Sequence, residues 1–102
     1  MPSTDEIRLV MNGKPKYYVL IPHYLKELSF SDFMLKTKEA FKRKYRLKLE
    51  SPSKLYSTHG IEIEASDLPF LEPGCSMYFA PKGEMFQADM IVGQFKKVKK
   101  LG

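Results

Sequence analysis

The residues best suited to catalysis in this chain of 102 residues are few and far apart: two histidines, His23 and His59, and one cysteine, Cys75. A catalytic triad or a metal site needs more partners than these, at spacings that the sequence does not contain. His59 directly precedes Gly60, which favours a place in a hairpin turn, and His23 is interpreted as a solvent-facing residue of a connector. We therefore predict no catalytic residue, no metal ligand, no cofactor and no enzymatic activity.

The single cysteine and one group of carboxylates also receive structural interpretations. Cys75 has no second cysteine to pair with, so we expect no internal disulfide and a reducing, intracellular setting. A reactive thiol needs a nearby cation to lower its pKa, and the sequence neighbours offer none, so we predict an inert side chain. Glu62 and Glu64 alternate along a predicted strand, which favours a solvated face over an acid–base pair with Asp67.

The strongest chemical signal is the segregation of charge along a chain whose net charge is +5. Residues 36–48 contain one acid, Glu39, and these bases: Lys36, Lys38, Lys42, Arg43, Lys44, Arg46 and Lys48. Residues 61–89 contain one base, Lys82, and these acids: Glu62, Glu64, Asp67, Glu72, Glu84 and Asp89. The C-terminal tail is basic again, with Lys96, Lys97, Lys99 and Lys100. We predict that the two basic sets bind a partner.

The partner is expected to be an acidic protein surface. The bases of residues 36–48, beside one acid, can form few internal ion pairs, so they repel one another unless an anionic partner compensates. The alternative interpretation of these bases is an ordinary solvated helix face. Nucleic acid is the weaker candidate because no exposed aromatic residues are interleaved with the bases. Membrane binding would need exposed apolar anchors beside the cations, and we expect none; no apolar run approaches the roughly 18 residues of a membrane span.

The elements that must position these residues follow from local patterns. Residues 7–11 and 16–21 predict two strands joined at Asn12-Gly13, a dipeptide that forms tight hairpin turns. A helix follows, capped by Ser29 or Ser31 and ending before Ser51-Pro52. Its apolar stripe follows three-and-four spacing and ends in a lysine: Phe30, Phe33, Met34, Thr37, Phe41, Tyr45 and Lys48.

The second half of the chain is dominated by short strands. Residues 54–57 and 61–63 predict a looser hairpin, residues 67–74 a turn with a short helical piece, and residues 76–80 the last strand. The order is β-β-α-β-β-β, and the helix must bury its stripe against one mixed sheet of four or five strands. We predict an α+β, ubiquitin-like β-grasp domain over residues 1–86, followed by a basic tail or linker over residues 87–102.

The stretch from residue 54 to residue 86 resembles the second half of a doublecortin domain. The opening strand and turn (residues 7–13) and the helix start (residues 30–35) are also similar to that family. The matching residues of the second half are Leu55, Tyr56, Gly60, Asp67, Leu68, Leu71, Gly74, Tyr78, Phe79, Ala80, Gly83, Glu84 and Phe86. The resemblance implies a ubiquitin-like module that binds tubulin or microtubules, in a cytoplasmic protein of the cytoskeleton, cilium or centriole.

The tail resembles the lead-in to a protein kinase domain. Residues 91–93 and 95–102 are similar to the segment in which Leu-Gly opens the glycine-rich nucleotide loop, so Gly102 would be its first glycine. The complete loop motif is absent, and the chain itself cannot bind ATP. The resemblance implies an alternative function as a regulatory or docking domain of a Ser/Thr protein kinase. A further alternative is a scaffold in which basic and acidic surfaces of successive copies associate weakly.

Overall fold

The computed structural model describes residues 5–87 and contains the predicted elements in the predicted order. The strands are β1 (Glu6–Met11), β2 (Tyr18–Pro22), β3 (Lys54–Ser57), β4 (Glu62–Ile63) and β5 (Ser76–Ala80), and the main helix is α1 (Phe30–Tyr45). Three short 3-10 helices span His23–Glu27, Ala65–Phe70 and Pro81–Gly83. The second of these confirms the short helical piece expected in residues 67–74.

The five strands form one mixed sheet in the order β2-β1-β5-β3-β4. β1 pairs antiparallel with β2 and parallel with β5, and β3 pairs antiparallel with both β5 and β4. The prediction of an α+β domain with one main helix and a mixed sheet is confirmed, and the layout is compatible with a β-grasp. The first and last strands therefore lie side by side at the centre of the sheet.

The first hairpin has a longer loop than the sequence predicts. Gly13 has the positive φ of +74° that the turn requires. The strand predicted from residue 16 begins only at Tyr18, which is opposite Val10, because residues 14–17 fold back as further turns. Tyr17 lies in this loop, where its ring meets Tyr45 edge-on at a centroid distance of 4.9 Å.

Helix α1 begins at the predicted cap, since the Ser29 hydroxyl accepts a hydrogen bond from the Asp32 amide. Phe33 and Phe41 are completely buried against the sheet, and each contributes about 1.5–3 kcal/mol to stability. Thr37 is also buried and donates its hydroxyl proton to the Phe33 carbonyl at 3.0 Å. The helix ends at Tyr45, so the prediction that its stripe extends to Lys48 is wrong.

The core fills the space between α1 and one face of the sheet. Phe41 packs on Phe79 of β5 at a centroid distance of 5.7 Å. The other buried apolar residues of this cluster are Ile7, Leu9, Met11, Val19, Ile21, Phe33, Met34, Leu55, Ile63, Leu68 and Met77. Because strand side chains alternate between faces, each central strand contributes every second residue to this core.

Part of the opposite face of the sheet, on β3 and β5, contacts residues 84–87, which we call the crossing segment. Phe86 packs against Tyr56 and Tyr78 at centroid distances of 5.6 and 5.2 Å. Asn12, only 4% exposed, donates to the Met85 carbonyl at 2.8 Å and accepts from the Gln87 amide at 2.7 Å. Local sequence patterns gave no indication of this packing.

Candidate protein-binding surface

The bases of residues 36–48 lie on two different pieces of structure. Lys36, Lys38, Lys42, Arg43 and Lys44 belong to α1, whereas Arg46 and Lys48 follow it. Arg46 adopts the left-handed conformation, with a φ of 60°, and its amide donates to the Lys42 carbonyl at 2.8 Å. Lys38, Lys42 and Arg46 follow one another at four-residue intervals, but the helix ends before Arg46, which therefore does not share the helix face of Lys38 and Lys42.

Beyond Arg46 the chain is extended, and its side chains alternate in exposure. Leu47 and Leu49 are half-buried and pack against the core, whereas Arg46, Lys48 and Glu50 are exposed. This period of two is typical of extended chain with one covered side. It returns Lys48 to the side of the helix that carries Lys38 and Lys42.

The predicted scarcity of internal ion pairs is confirmed within residues 5–87. Among them, the one ion pair made by a base of this set joins the Lys36 Nζ and the Glu39 Oε1, 3.8 Å apart. Lys38 donates a hydrogen bond to the Ser51 hydroxyl. The side chains of four bases have no partner in the described chain: Lys42, Arg43, Arg46 and Lys48.

Lys44 has partners on the edge strand β2. Its Nζ donates to the Tyr18 carbonyl at 3.1 Å and lies 4.1 Å from the centre of the Tyr18 ring. The neighbouring Tyr45 hydroxyl donates to the same carbonyl and accepts from the Tyr18 amide. Burial opposes ionisation of Tyr45. The hydrogen bond that its oxygen accepts from the Tyr18 amide, together with the nearby charge of Lys44, outweighs burial and lowers the Tyr45 pKa. Lys44 is therefore partly used by the fold.

Three of the bases line a groove between α1 and the extended chain that follows it. It is lined by four charged residues, Lys38, Glu39, Lys42 and Lys48, which we call its rim, and by three leucines, Leu35, Leu47 and Leu49, which we call its floor. We call this the basic groove. Arg43 and Lys44 instead line a separate depression with Val19, Leu20 and Ala40 at the β2 side of the helix. The structure thus divides the predicted basic surface into two parts.

The basic groove contradicts one expectation from the sequence. No exposed apolar residue was expected beside the cations, yet Leu35 is 52% exposed and lies in the groove with Lys38 and Lys42. Leu35 falls outside the apolar spacing of α1, on its solvent side. The sequence shows this offset and the alternation of residues 46–50, but only the fold brings Leu35 beside Leu47 and Leu49.

The acids of residues 61–89 are largely occupied with local structure. Glu62 lies 4.0 Å from the Nζ of Lys54, and the Glu64 amide donates to the Asp67 carboxylate at 2.9 Å. The Glu84 carboxylate lies 3.4 Å from the Asn12 amide nitrogen. The predicted outward alternation of Glu62 and Glu64 is confirmed, because both are exposed and Ile63 between them is buried. Asp89 lies outside the described residues.

The two histidines differ in their surroundings. His59 is exposed in the β3–β4 turn, as predicted, and its amide donates to the Ser57 hydroxyl at 3.1 Å. His23 was expected to face solvent, but it is half-buried, and its Nε2 lies 2.7 Å from the Leu71 carbonyl oxygen. A carbonyl can only accept, so this nitrogen carries the proton. His23, in the first 3-10 helix, is therefore hydrogen-bonded to the residue that directly follows the second.

Cys75 precedes β5 and is half-buried against the core. Burial raises the pKa of its thiol, and the negative charge of Glu72 raises it further, although backbone hydrogen bonds act in the opposite direction. The thiolate, which is the nucleophilic form, is therefore disfavoured. These surroundings support the prediction of an inert side chain.

Lys96, Lys97, Lys99 and Lys100 lie outside the described residues. Within residues 5–87, no three side chains of His, Cys, Asp or Glu are grouped so as to hold a metal ion. No helix in that same part of the chain is long and apolar enough to cross a membrane.

Comparison of the chain with protein-family models, with curated proteins and with solved structures gives no match.

Proposed function

We propose that this chain is a non-catalytic, doublecortin-like module of the ubiquitin-like β-grasp class that binds an acidic protein surface, foremost that of tubulin or microtubules. The observation that carries the proposal is the group of unpartnered cations at the end of α1 and just beyond it. Lys42, Arg43, Arg46 and Lys48 are all exposed, and none is neutralised within residues 5–87. Such a surface has a field that attracts anionic partners. A cytoplasmic, cytoskeletal or ciliary location belongs to the same proposal.

The packing of the crossing segment supports the doublecortin-like part of the proposal. Gly60 and Phe86, two of the residues that carry the resemblance, are in direct contact, and a Cβ on Gly60 would lie 2.8 Å from the Phe86 ring. The Tyr56 hydroxyl donates to the Glu84 carbonyl at 2.8 Å, which joins two more of those residues. These contacts join matching positions that lie 26 and 28 residues apart in the sequence.

The energetics favour a repetitive partner. An exposed ion pair contributes about 0.2–1 kcal/mol, so four of them contribute about 1–4 kcal/mol and give only weak binding to an isolated site. A polymer such as a microtubule offers many equivalent acidic sites, and linked copies of the module gain effective concentration there. Binding through such exposed charges must also weaken as salt is added.

Co-sedimentation with microtubules at several salt concentrations tests the proposal. We expect pelleting that decreases with salt and that weakens about two- to thirtyfold when Lys42 and Lys48 are both changed to Gln, because two exposed contacts are lost. The matched control changes Lys14 and Lys16 to Gln, which removes the same charge from the exposed β1–β2 loop. Equal losses in the two double variants, or pelleting that ignores salt, would reject the assignment of this surface.

The tail motivates the second candidate, a regulatory or docking domain of a Ser/Thr protein kinase. Its resemblance lies in residues 91–102, and the crossing segment that precedes them is anchored on the sheet by Asn12 and Tyr56. The segment that leads into the tail is therefore held on the domain. This candidate is tested by comparing the activity and localisation of the parent enzyme with and without residues 1–90. If both were unchanged, the candidate would be rejected.

The head-to-tail scaffold is less well supported, because the acids it requires are engaged locally. Glu62 faces Lys54, and Asp67 accepts from the Glu64 amide. A monomeric mass at high concentration and low salt would exclude it.

A further inference from the structure

We infer that the partner contacts the basic groove with an acidic peptide segment that carries one large apolar side chain. The apolar side chain enters between the leucines of the floor, and the carboxylates around it meet Lys38, Lys42 and Lys48. This inference rests on the proposed function, since it names the partner chemistry of the same surface. It adds the requirement that the acidic partner also carries an apolar side chain.

The floor of the groove is apolar and open. Leu47 and Leu49 have one side packed against the core, so the fold accounts for their presence. Leu35 is different: it is 52% exposed and is not among the side chains packed against the core. An exposed leucine alone is unremarkable in a surface, but three leucines lining one concavity offer an apolar side chain contact on several sides.

The rim selects the charge of the occupant. Lys42 and Lys48 have no internal partner in residues 5–87, and Lys38 is held by the hydroxyl of Ser51. Glu39 also lines the groove, but it lies 3.8 Å from Lys36, which partly neutralises it. The groove therefore presents excess positive charge around an apolar centre, which complements acids around an apolar residue.

Two other anionic partners fit the groove less well. Single-stranded nucleic acid is bound by stacking its bases on aromatic side chains, and the lining of the basic groove contains none. Anionic lipid surfaces are bound by protruding apolar residues, whereas these leucines line a concavity. A peptide side chain is the occupant whose shape and charge both match.

Fluorescence anisotropy with three labelled peptides tests the inference on the full chain. One peptide is rich in Asp and Glu and contains a single Phe, the second has Ser in place of that Phe, and the third keeps the Phe but has Gln in place of the acids. We expect the first to bind about five- to tenfold more tightly than the second, because the Phe buries the exposed half of Leu35. The third should bind weakly at every salt concentration.

A matched pair of variants locates the effect. Leu35→Ser should abolish the preference for the Phe peptide, whereas Ile61→Ser should retain it, since Ile61 is 68% exposed but lies outside the groove. Neither change disturbs a buried side chain, so both variants should fold. Circular dichroism verifies this for each.

The outcomes separate this inference from the proposed function. Equal binding of the two acidic peptides, together with intact salt-sensitive pelleting, overturns the inference and leaves the proposed function standing. A preference for Phe that depends on Leu35, without any microtubule pelleting, supports the inference and removes tubulin as the partner. Leu35-dependent binding to phosphatidylserine vesicles without peptide binding overturns the inference in favour of a lipid surface.

Discussion

The contact between Gly60 and Phe86 allows a quantitative test of how the crossing segment is held. Gly60 has a φ of +83°, and an added Cβ would approach the Phe86 ring at 2.8 Å. Gly60→Ala therefore carries two costs: about 1–2 kcal/mol for a left-handed backbone with a Cβ, and about 1–3 kcal/mol for overpacking against the ring. Together they amount to about 2–5 kcal/mol.

Removing the ring should relieve only the second cost. Phe86 is half-buried against Tyr56 and Tyr78, so Phe86→Ala alone should cost about 2 kcal/mol, less than the about 3–5 kcal/mol of a fully buried phenylalanine. In the double variant the overpacking disappears, and its free energy of unfolding should exceed the additive value by about 1–3 kcal/mol.

Urea unfolding followed by far-ultraviolet circular dichroism measures these free energies, since the chain contains no tryptophan to report fluorescence. Gly83→Ala is the matched control. Gly83 also has a positive φ, of +66°, but its added Cβ would meet only ordinary contacts, the nearest being Pro52 Cγ at 3.7 Å. Gly83→Ala should lower the free energy of unfolding by about 1–2 kcal/mol, and its effect should be nearly additive with that of Phe86→Ala. Additive losses at Gly60, or equal coupling for the two glycines, would refute the packing of Phe86 on the β3–β4 turn.

Two further predictions concern the thiol and the end of the helix. Alkylation of Cys75 at pH 7.5 should be slower in the folded protein than in urea. The folded state holds the Cys75 thiol proton more tightly than the unfolded state does, so the free energy of unfolding should fall as the pH rises past the ordinary thiol pKa. Cys75→Ser should remove that pH dependence, and equal alkylation rates would contradict burial of the thiol. Arg46→Gly should raise the free energy of unfolding by about 1 kcal/mol, because glycine tolerates the φ of 60°, yet weaken microtubule pelleting by the loss of one cation. If Arg46→Gly lowered both the stability and the pelleting, or raised both, the separate roles of the Arg46 backbone and the Arg46 charge would be contradicted.

The elements near in sequence were predictable because short-range rules determine them. Asn12-Gly13 indicated the first turn, Ser29 indicated the helix cap, and the spacing of Phe33, Thr37 and Phe41 indicated the buried stripe. The end of the helix was not predictable in this way. The three-and-four spacing continues to Lys48 and favours a longer helix, whereas the alternation of Leu47 and Leu49 favours extended chain. The chain is extended there because both leucines then pack against the core.

The sequence by itself determined the order of the elements, the sign of the charge in each region and the scarcity of ion pairs among residues 36–48. Only the tertiary structure decided how those charges are grouped. Lys48 joins Lys38 and Lys42 because the chain reverses at Arg46, and Leu35 becomes part of a groove because Leu47 and Leu49 return beside it. The same holds for the crossing segment, whose partner Asn12 is 75 residues from Gln87. Contacts between residues so far apart follow from packing the whole chain, which no local pattern encodes.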